Sequence, residues 1–87
     1  MNNNRVTFEI AGIGKRMSGV SKKNNKPYDF TPVSLLYESP GFTGRAGVTL
    51  NLNAEQVDEI KDFCVGGIFE AVVYFDSFRR MNLAYIF

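Results

Sequence analysis

The segment between residues 15 and 30 combines cations with aromatic residues, a combination that can bind a polyanion. Its five cations are Lys15, Arg16, Lys22, Lys23 and Lys26. Tyr28 and Phe30 follow the last of these lysines, at the start of a predicted strand. Mobile cations neutralise phosphates, whereas exposed aromatic rings stack on unpaired bases. We therefore interpret this segment as a candidate binding site for a single nucleic-acid strand.

The same segment has a second interpretation. Gly19, Asn24, Asn25 and Pro27 are residues that favour turns, and lysines are common on turns that face solvent. The local composition therefore leaves open whether residues 15–30 form a binding element or an ordinary solvated loop.

Three further residues extend the candidate site beyond this segment. Arg45 is a candidate phosphate contact, and Tyr37 and Phe42 are candidate stacking residues. If five or six cations neutralise phosphates, the logarithm of the binding constant should fall with the logarithm of salt concentration at about −0.7 per contact, or roughly −4 in total. Each stacked ring should contribute on the order of 1 to 3 kcal/mol whatever the base. For any one ring, packing into the core is the alternative.

A second group of candidates lies close to the C-terminus. Phe78, Arg79 and Arg80 fall in a predicted turn, where an aromatic side chain is difficult to bury. An exposed ring beside two arginines suggests contact with nucleic acid or with a second subunit. A simple ion pair between Asp76 and one of the arginines is the alternative.

Length and charge limit what kind of protein this is. The chain has 87 residues with ten basic and nine acidic side chains, which gives a net charge of +1. A chain of this length forms one domain, residues 1–87, that buries only about 60% of its unfolded surface, and domains of this size often depend on oligomerisation for stability, which makes a dimer plausible. Seven cations lie between Arg5 and Arg45 against three acidic residues, whereas six acidic residues lie between Glu55 and Asp76. One face of the protein can therefore be basic although the net charge is small.

The side chains that many enzymes use are missing from the sequence. It contains no histidine and a single cysteine, Cys64, so it lacks the residues for histidine-based triads and for the common zinc sites. The segment GIGKR, which begins at Gly12, does not have the spacing of a nucleotide-binding loop. Paired carboxylates occur on a predicted helix, where they are typical of a solvated face. We therefore expect no enzymatic activity, no metal and no cofactor.

The sequence also bears on where the protein works. A single cysteine is typical of a reducing compartment. The first eight residues, MNNNRVTF, are too polar for a signal peptide, and no apolar run reaches the roughly 18 residues of a membrane span. These features predict a soluble, cytoplasmic protein with no membrane partner.

Hydrophobic periodicity predicts five strands and one helix. Val6, Phe8 and Ile10 alternate with polar residues, which is the period of a half-buried strand. Asn53 and Gln56 can form a capping box before apolar residues that recur at helical spacing. The predicted elements are strand one at 5–13, continuing toward residue 17, strand two at 26–37, strand three at 45–52, a helix at 54–64, and strands four and five at 68–75 and 81–87. Residues 18–25 are predicted to form a loop or hairpin tip.

This order of elements favours one architecture. Five strands with a helix between the third and the fourth are the order of an OB-type barrel, in which nucleic acid crosses strands two and three and the adjoining loops. Gly12, Gly14, Gly47 and the break at Pro32 offer places where a short sheet can curl. An open sheet with a packed helix is the alternative. We therefore predict a mainly β fold, a five-stranded OB-type barrel.

One segment resembles a known family. Residues 16–28, RMSGVSKKNNKPY, are similar to the DNA-binding wing of the gene V type single-stranded DNA-binding proteins of filamentous bacteriophages. The shared features are SGVS at 18–21, followed by a basic residue, and KPY at 26–28 before Phe30, with one extra asparagine between them here. The VTL run at 48–50 resembles the third strand of the family, and Phe78 lies in the hairpin where the family carries an aromatic residue. The predicted helix departs from the family pattern, which has a short link after strand three.

The resemblance implies a homodimeric OB-type protein that coats phage single-stranded DNA cooperatively, without sequence preference, in the host cytoplasm. Such a protein acts in phage DNA replication by keeping new viral strands single-stranded for packaging. RNA is a further implied ligand, through repression of translation. A non-enzymatic OB-type domain that binds a protein partner or RNA is the alternative function, and salt-sensitive binding of single strands without sequence preference would separate the two.

Overall fold

A computed structural model of the chain describes residues 5–41 and 43–87. Within these residues the protein is mainly β, with six strands and one short helix. In chain order the elements are β1 (Arg5–Ile13), β2 (Met17–Val20), β3 (Pro27–Tyr37), β4 (Ala46–Leu52), α1 (Ala54–Glu59), β5 (Ile68–Phe75) and β6 (Met81–Ile86). Each predicted strand is present at or near its predicted position, and β2 is an additional strand.

The strands form an antiparallel sheet around β3. Along one edge β3 pairs with β1 and β2, and along the other edge it pairs with β4. β1 also pairs with β5, and β5 pairs with β6. Within the described residues β2, β4 and β6 are therefore edge strands, each paired with a single neighbour.

The predicted five-stranded barrel is wrong in two respects. The sheet contains six strands, and it is open, because no hydrogen-bonded ladder joins β4 to β6 within the described residues. A cleft of about 570 Å³ is lined by β4 on one side and by the turn between β5 and β6 on the other. Glycines and bulges curve the sheet, but closure also requires a matching tilt and stagger of the strands, which the hydrophobic pattern does not specify.

The sixth strand arises because strand one is interrupted at Gly14. The N–H of Gly14 donates to the carbonyl oxygen of Pro32 at 2.7 Å, and a Cβ on Gly14 would lie 2.6 Å from Cγ of that proline. Glycine permits this close approach. The chain then re-enters the ladder as β2, so residues 18–20, predicted to be loop, are strand. Pro32 lies in the gap between the ladder of β3 with β1 and the ladder of β3 with β2. Proline has no N–H to donate, and at this position neither ladder requires one.

The apolar residues that alternate along the strands form the core on the inner face of the sheet. Phe8 lies at its centre, and its ring stacks on Phe69 with the ring centroids 5.4 Å apart. The buried apolar residues are Phe8, Ile10, Val33, Leu35, Leu52, Ile60, Phe69, Ala71, Val73, Leu83 and Ile86. The alternation of strand one is therefore confirmed, since Phe8 and Ile10 are buried, whereas Phe75, which continues the alternation of Phe69, Ala71 and Val73 at the end of β5, is 61% exposed.

α1 begins where the sequence predicts. The side chain of Asn53 accepts a hydrogen bond from the N–H of Gln56 at 2.8 Å, and the side chain of Gln56 accepts one from the N–H of Asn53 at 3.0 Å. These two bonds confirm the capping box. In the described range, the protein has no helix with the length and hydropathy needed to cross a bilayer.

The helix ends at Glu59 rather than at the predicted Cys64. Backbone hydrogen bonds of 2.8 Å join Ile10 to both Gly66 and Gly67, which extends the contact between β1 and the start of β5. After Glu59 the N–H of Ile60 donates to the carbonyl of Val57 at 3.2 Å, and the chain then turns toward Ile10. Tertiary pairing therefore overrides the helical pattern of the sequence.

Candidate nucleic-acid interface

Tyr28 and Phe30 lie side by side on the outer face of β3. Because side chains alternate along a strand and Val33 and Leu35 are buried, the even-numbered residues of β3 face outward. The centroids of the two rings are 6.1 Å apart, and the ring planes make an angle of 39°. Tyr28 is 41% exposed, and Phe30 is partly exposed. The pair forms an accessible aromatic surface on which bases could stack.

The adjacent strand, β2, completes this aromatic surface. Gly19 pairs with Tyr28, and Met17 pairs with Phe30, so both residues of β2 share the outer face. A Cβ on Gly19 would lie 2.9 Å from the hydroxyl oxygen of Tyr28. The missing side chain therefore lets the tyrosine ring lie across β2. Met17, 50% exposed beside Phe30, was not a sequence candidate, because residues 17–20 show no strand pattern.

The turn between β2 and β3 holds three lysines beside the rings. Its backbone is closed by two hydrogen bonds of 2.9 Å, from the N–H of Ser21 to the carbonyl of Lys26 and from the N–H of Asn25 to the carbonyl of Ser21. Asn25 has φ of +55°, a left-handed conformation that asparagine tolerates. The side chain of Asn24 accepts a hydrogen bond from the N–H of Lys26 at 3.1 Å. The three lysines on this ordered turn are Lys22, Lys23 and Lys26.

The candidate cations differ in whether a carboxylate already neutralises them. Four lysines of the candidate site are exposed and form no salt bridge with any described residue: Lys15, Lys22, Lys23 and Lys26. By contrast, Arg16 pairs with Asp29, and Arg45 pairs with Glu9. The lysines are therefore free to contact phosphates, whereas each of these two arginines would first have to give up an ion pair.

The pair of Arg16 and Asp29 also lies on the other side of β3 from the rings. Asp29 sits between Tyr28 and Phe30 in the strand, so its side chain points to the opposite face. The Nε of Arg16 donates to Asp29 Oδ1 at 2.8 Å, and a second guanidinium N–H donates to Oδ2. These hydrogen bonds from Arg16 lower the pKa of the Asp29 carboxyl. Arg16 therefore does not share the face of β3 that carries the rings, and the turn 21–26, which leads directly into β3, supplies the nearest cations along the chain.

The outer face of β4 adds polar groups to the surface. Thr49 and Asn51 are exposed there, as the alternation of strand three predicts. Ser34 of β3 lies opposite Thr49, and the two hydroxyl oxygens are 3.1 Å apart. Hydroxyl and amide groups can donate to phosphates and to base edges. These residues were not among the sequence candidates, although the strand alternation was a signal that could have found them.

The turn between β5 and β6 is organised by Asp76. Its Oδ1 accepts hydrogen bonds from the N–H groups of Phe78 at 2.9 Å and Arg80 at 3.0 Å. Arg79 adopts φ of +60° and donates its N–H to the carbonyl of Asp76 at 2.9 Å. The Nε of Arg80 is 3.8 Å from the carboxylate, which confirms the ion pair considered for Asp76. Phe78 is nevertheless 74% exposed, with the guanidinium of Arg80 5.0 Å from its ring centroid.

The outer face of β4 and the turn between β5 and β6 border the same cleft at the open edge of the sheet. Thr49 and Asn51 line it from β4, and Arg79 and Arg80 line it from the β5–β6 turn. A nucleic-acid strand that crossed the outer faces of β3 and β4 and continued over the cleft would therefore reach Arg79 and Arg80.

Two further candidate stacking residues, Tyr37 and Phe42, are not part of the aromatic surface on β3. Tyr37 is partly buried on the inner face, and its ring packs edge-on against Phe8 with the centroids 5.6 Å apart. Its contact is the core packing that the sequence left open as an alternative. Phe42 falls outside the described residues.

The charge of Asp76 should make the stability of the protein depend on pH. Hydrogen bonds from the N–H of Arg80, the side chain of Asn82 and the N–H of Phe78 lower the pKa of this carboxyl from its ordinary value of 3.8. A lowered pKa stabilises the fold above the unfolded value, and that stabilisation is lost as the pH falls through the folded value. We expect Asp76→Asn to lower the midpoint of thermal unfolding at about pH 7, and the difference from wild type to shrink at about pH 3.

Circular dichroism of both proteins at the two pH values measures this effect. Asp62→Asn, at an exposed aspartate whose side chain accepts none of these hydrogen bonds, is the control and should leave the midpoint unchanged. An equal difference between Asp76→Asn and wild type at both pH values would show that the charge of Asp76 does not stabilise the turn.

Comparison with known proteins identifies no relative of this chain. Searches of protein-family models, of curated proteins and of solved structures each found no match to this chain. The likeness of residues 16–28 to the phage DNA-binding wing therefore remains a resemblance of one segment. The features that bear on what the protein binds are the rings of Tyr28 and Phe30, the lysines of the turn 21–26 and the open sheet.

Proposed function

We propose that this protein is an OB-type single-stranded DNA-binding protein that coats phage single strands through the outer faces of β2, β3 and β4. The observation that carries the proposal is the exposed pair of Tyr28 and Phe30 next to a turn whose lysines form no salt bridge within residues 5–41 and 43–87. Rings and free cations on one surface match the two halves of a single strand, its bases and its phosphates.

The chemistry favours a single strand over a duplex. Base faces are covered by their neighbours in a duplex, whereas unpaired bases can lie on Tyr28 and Phe30. Ring stacking does not distinguish the bases, so the binding should tolerate any sequence. With a net charge of +1, the protein also depends on its local lysines rather than on its overall field to attract DNA.

The pairing of the strands supports the OB-type assignment within this proposal. If β1 and β2 are counted as one bent strand, the first strand pairs with the second and the fourth, the second pairs with the third, and the fourth pairs with the fifth. An OB fold is a five-stranded, partly open barrel that binds oligonucleotides on strands two and three and on the loops after strands one and four. Here those two loops are the lysine-bearing turn 21–26 and the turn 76–80 that carries Phe78, Arg79 and Arg80.

The biological role follows from the resemblance of residues 16–28 to the phage wing. A protein of this kind acts by stoichiometric coating of new viral strands in the host cytoplasm, as a homodimer, cooperatively and without turnover. RNA could occupy the same surface, since neither rings nor lysines require a deoxyribose. No catalytic step, metal or cofactor is part of the proposal.

Fluorescence of the tyrosines tests this function, because the chain has four tyrosines and no tryptophan. The purified protein is titrated with a single-stranded oligonucleotide and with a duplex of equal length, at low and at moderate salt. We expect the single strand to quench the emission strongly, salt to weaken this binding, and the duplex to have much less effect. Equal affinity for both forms would refute the preference for single strands. No binding of either form in a label-free assay would refute the proposal and favour an OB-type domain that binds a protein partner.

A further inference from the structure

β4 is an edge strand without the features that usually protect an edge. An edge strand leaves backbone N–H and C=O groups unpaired, and proteins protect these groups with short strands, bulges, charged side chains or proline. β2 has only four residues, and β6 is bulged, with Ala84 as an extra residue opposite the step from Val72 to Val73. β4 has seven residues, AGVTLNL, with no charge and no proline, and its register with β3 does not shift. Among the edges of the described sheet, β4 is therefore the one most open to a further strand.

The contacts of β3 show which backbone groups of β4 face the open edge. In an antiparallel ladder, opposed residues alternate between exchanging two hydrogen bonds and exchanging none. The carbonyl of Pro32 accepts the N–H of Gly14 on the β1 side of β3, so Pro32 exchanges no hydrogen bond with its β4 partner, Asn51. The same holds for every second pair along this ladder, and the β4 residues of those pairs, with no other backbone partner in the described chain, are Gly47, Thr49 and Asn51.

The cleft beside this edge opens onto the hydrophobic core. Four apolar side chains that pack against the core also line the cleft and are only partly buried: Tyr37, Val48, Leu50 and Met81. They come from β3, β4 and β6. A strand added to β4 places every second side chain on the face that carries Val48 and Leu50. Apolar residues at those positions of the added strand would complete the burial of this part of the core.

The charge of the cleft is positive. Its charged lining residues are Arg79, Arg80 and Asp76. Arg79 forms no salt bridge within residues 5–41 and 43–87, and the Nε of Arg80 lies 3.8 Å from the carboxylate of Asp76. Two cations against one carboxylate favour an occupant with acidic side chains.

We propose that an extended acidic peptide of another protein binds in the cleft as an added strand on β4. Its backbone pairs with the open edge, its apolar residues cover the partly buried core side chains, and its carboxylates lie near the two arginines. Strand addition of this kind is a recurring way in which domains bind extended peptides. The edge from Gly47 to Asn51 spans about 14 Å, which matches a segment of about five to seven residues. This site goes beyond the proposed function, which uses the outer face of the sheet.

The open backbone groups favour a peptide over a DNA strand as the occupant. The edge presents carbonyl oxygens as well as N–H groups, and a peptide strand supplies a partner for both. The sugar–phosphate backbone of DNA has acceptors but no donor, because deoxyribose lacks the 2′-hydroxyl. A DNA backbone in the cleft would therefore leave the carbonyls of Gly47, Thr49 and Asn51 without hydrogen bonds.

Fluorescence anisotropy of a labelled peptide with the full chain, without nucleic acid, tests the site. The probe is a synthetic peptide of about seven residues in which glutamate and valine alternate. We expect it to bind more tightly than the same peptide with lysine in place of glutamate. Thr49→Pro removes an N–H that takes no part in the ladder with β3, and it should weaken binding about 5- to 150-fold because a carbonyl of the peptide loses its donor. Thr49→Ala keeps this N–H and is the matched control, with the affinity of the wild type.

Amide hydrogen exchange of the wild type, with and without the glutamate–valine peptide, gives a readout that does not depend on the folding of Thr49→Pro. We expect the N–H groups of Gly47, Thr49 and Asn51 to become protected, whereas those of Val48 and Leu50, already bonded to β3, change little.

Four outcomes would overturn the proposal. They are no binding of the glutamate–valine peptide at millimolar concentration, equal affinity for its lysine counterpart, protection confined to residues outside β4, and wild-type affinity in a Thr49→Pro variant that circular dichroism shows to be folded. A single-stranded oligonucleotide that protects the N–H groups of Gly47, Thr49 and Asn51 where the peptide does not would assign the edge to nucleic acid instead.

Discussion

Replacing Lys22, Lys23 and Lys26 together by glutamine is expected to weaken single-strand binding by about a hundredfold at about 0.1 M salt. Each phosphate contact contributes about 0.7 to the dependence of log K on log salt concentration, so three lost contacts should reduce the slope by about 2. The expected loss is large because the lysines form no salt bridge with any described residue, so no ion pair has to be broken before they contact phosphates.

Titrations at three or more salt concentrations measure both the affinity and the slope. Lys61→Gln removes one cation from the acidic region after α1 and should change neither quantity. A triple variant with the slope of the wild type would mean that the turn 21–26 does not contact phosphates. It would then be the solvated turn that its composition also allows.

Replacing Tyr28 by alanine is expected to reduce the affinity for single strands by about 5- to 150-fold, which corresponds to the 1 to 3 kcal/mol of one stacked base. Tyr28 is 41% exposed and adjoins Phe30 rather than the core, so its removal should leave the fold intact. Because the ring carries no charge, the slope of the salt dependence should stay at the wild-type value.

Tyr28→Phe is the matched control for this variant. It keeps the ring face and loses the hydroxyl, so stacking predicts an affinity close to that of the wild type. A loss in Tyr28→Phe as large as in Tyr28→Ala would assign the contact to the hydroxyl group instead. Wild-type affinity in both variants would place the bases away from this ring.

The strands with a clear apolar alternation could be predicted from the sequence, and β2 could not. The alternation of Val6, Phe8 and Ile10, and of Val48, Leu50 and Leu52, identifies β1 and β4 with their inner faces. β2 is exposed at all four positions and exists because β3 pairs with it. Such pairing is non-local, so no pattern within residues 17–20 reports it.

The end of the helix and the open edge of the sheet could not be predicted, because both are set by contacts between distant parts of the chain. The apolar residues up to Cys64 continue the helical spacing, yet the chain leaves the helix at Glu59 to pair Gly66 and Gly67 with Ile10. Glycines and Pro32 indicate where a sheet bends, but whether β4 reaches β6 depends on the tilt of every strand. Both properties depend on contacts between distant parts of the chain.

The alternation of side chains along β3 predicts which rings of the candidate site face outward. Which of its cations are neutralised depends on ion pairs that the sequence does not show. Tyr28 and Phe30 are two residues apart and share a face, while Tyr37 is an odd number of residues from either and faces the core. That Arg16 and Arg45 are neutralised could not be predicted, because Asp29 and Glu9 approach them only through the pairing of the strands. Only the fold shows that the arginines form ion pairs, whereas the lysines of the site form none with any described residue.

Backbone amide shifts of the isotope-labelled protein during titration with a single-stranded oligonucleotide test the central claim most directly. We predict changes concentrated on the outer surface of β2, β3 and β4 and on the turn 21–26, including Gly19, Lys23, Phe30 and Thr49. Changes concentrated on the outer faces of β5 and β6, with Gly19 and Phe30 unaffected, would contradict the proposed binding face. The absence of any change at saturating oligonucleotide would contradict strand binding altogether.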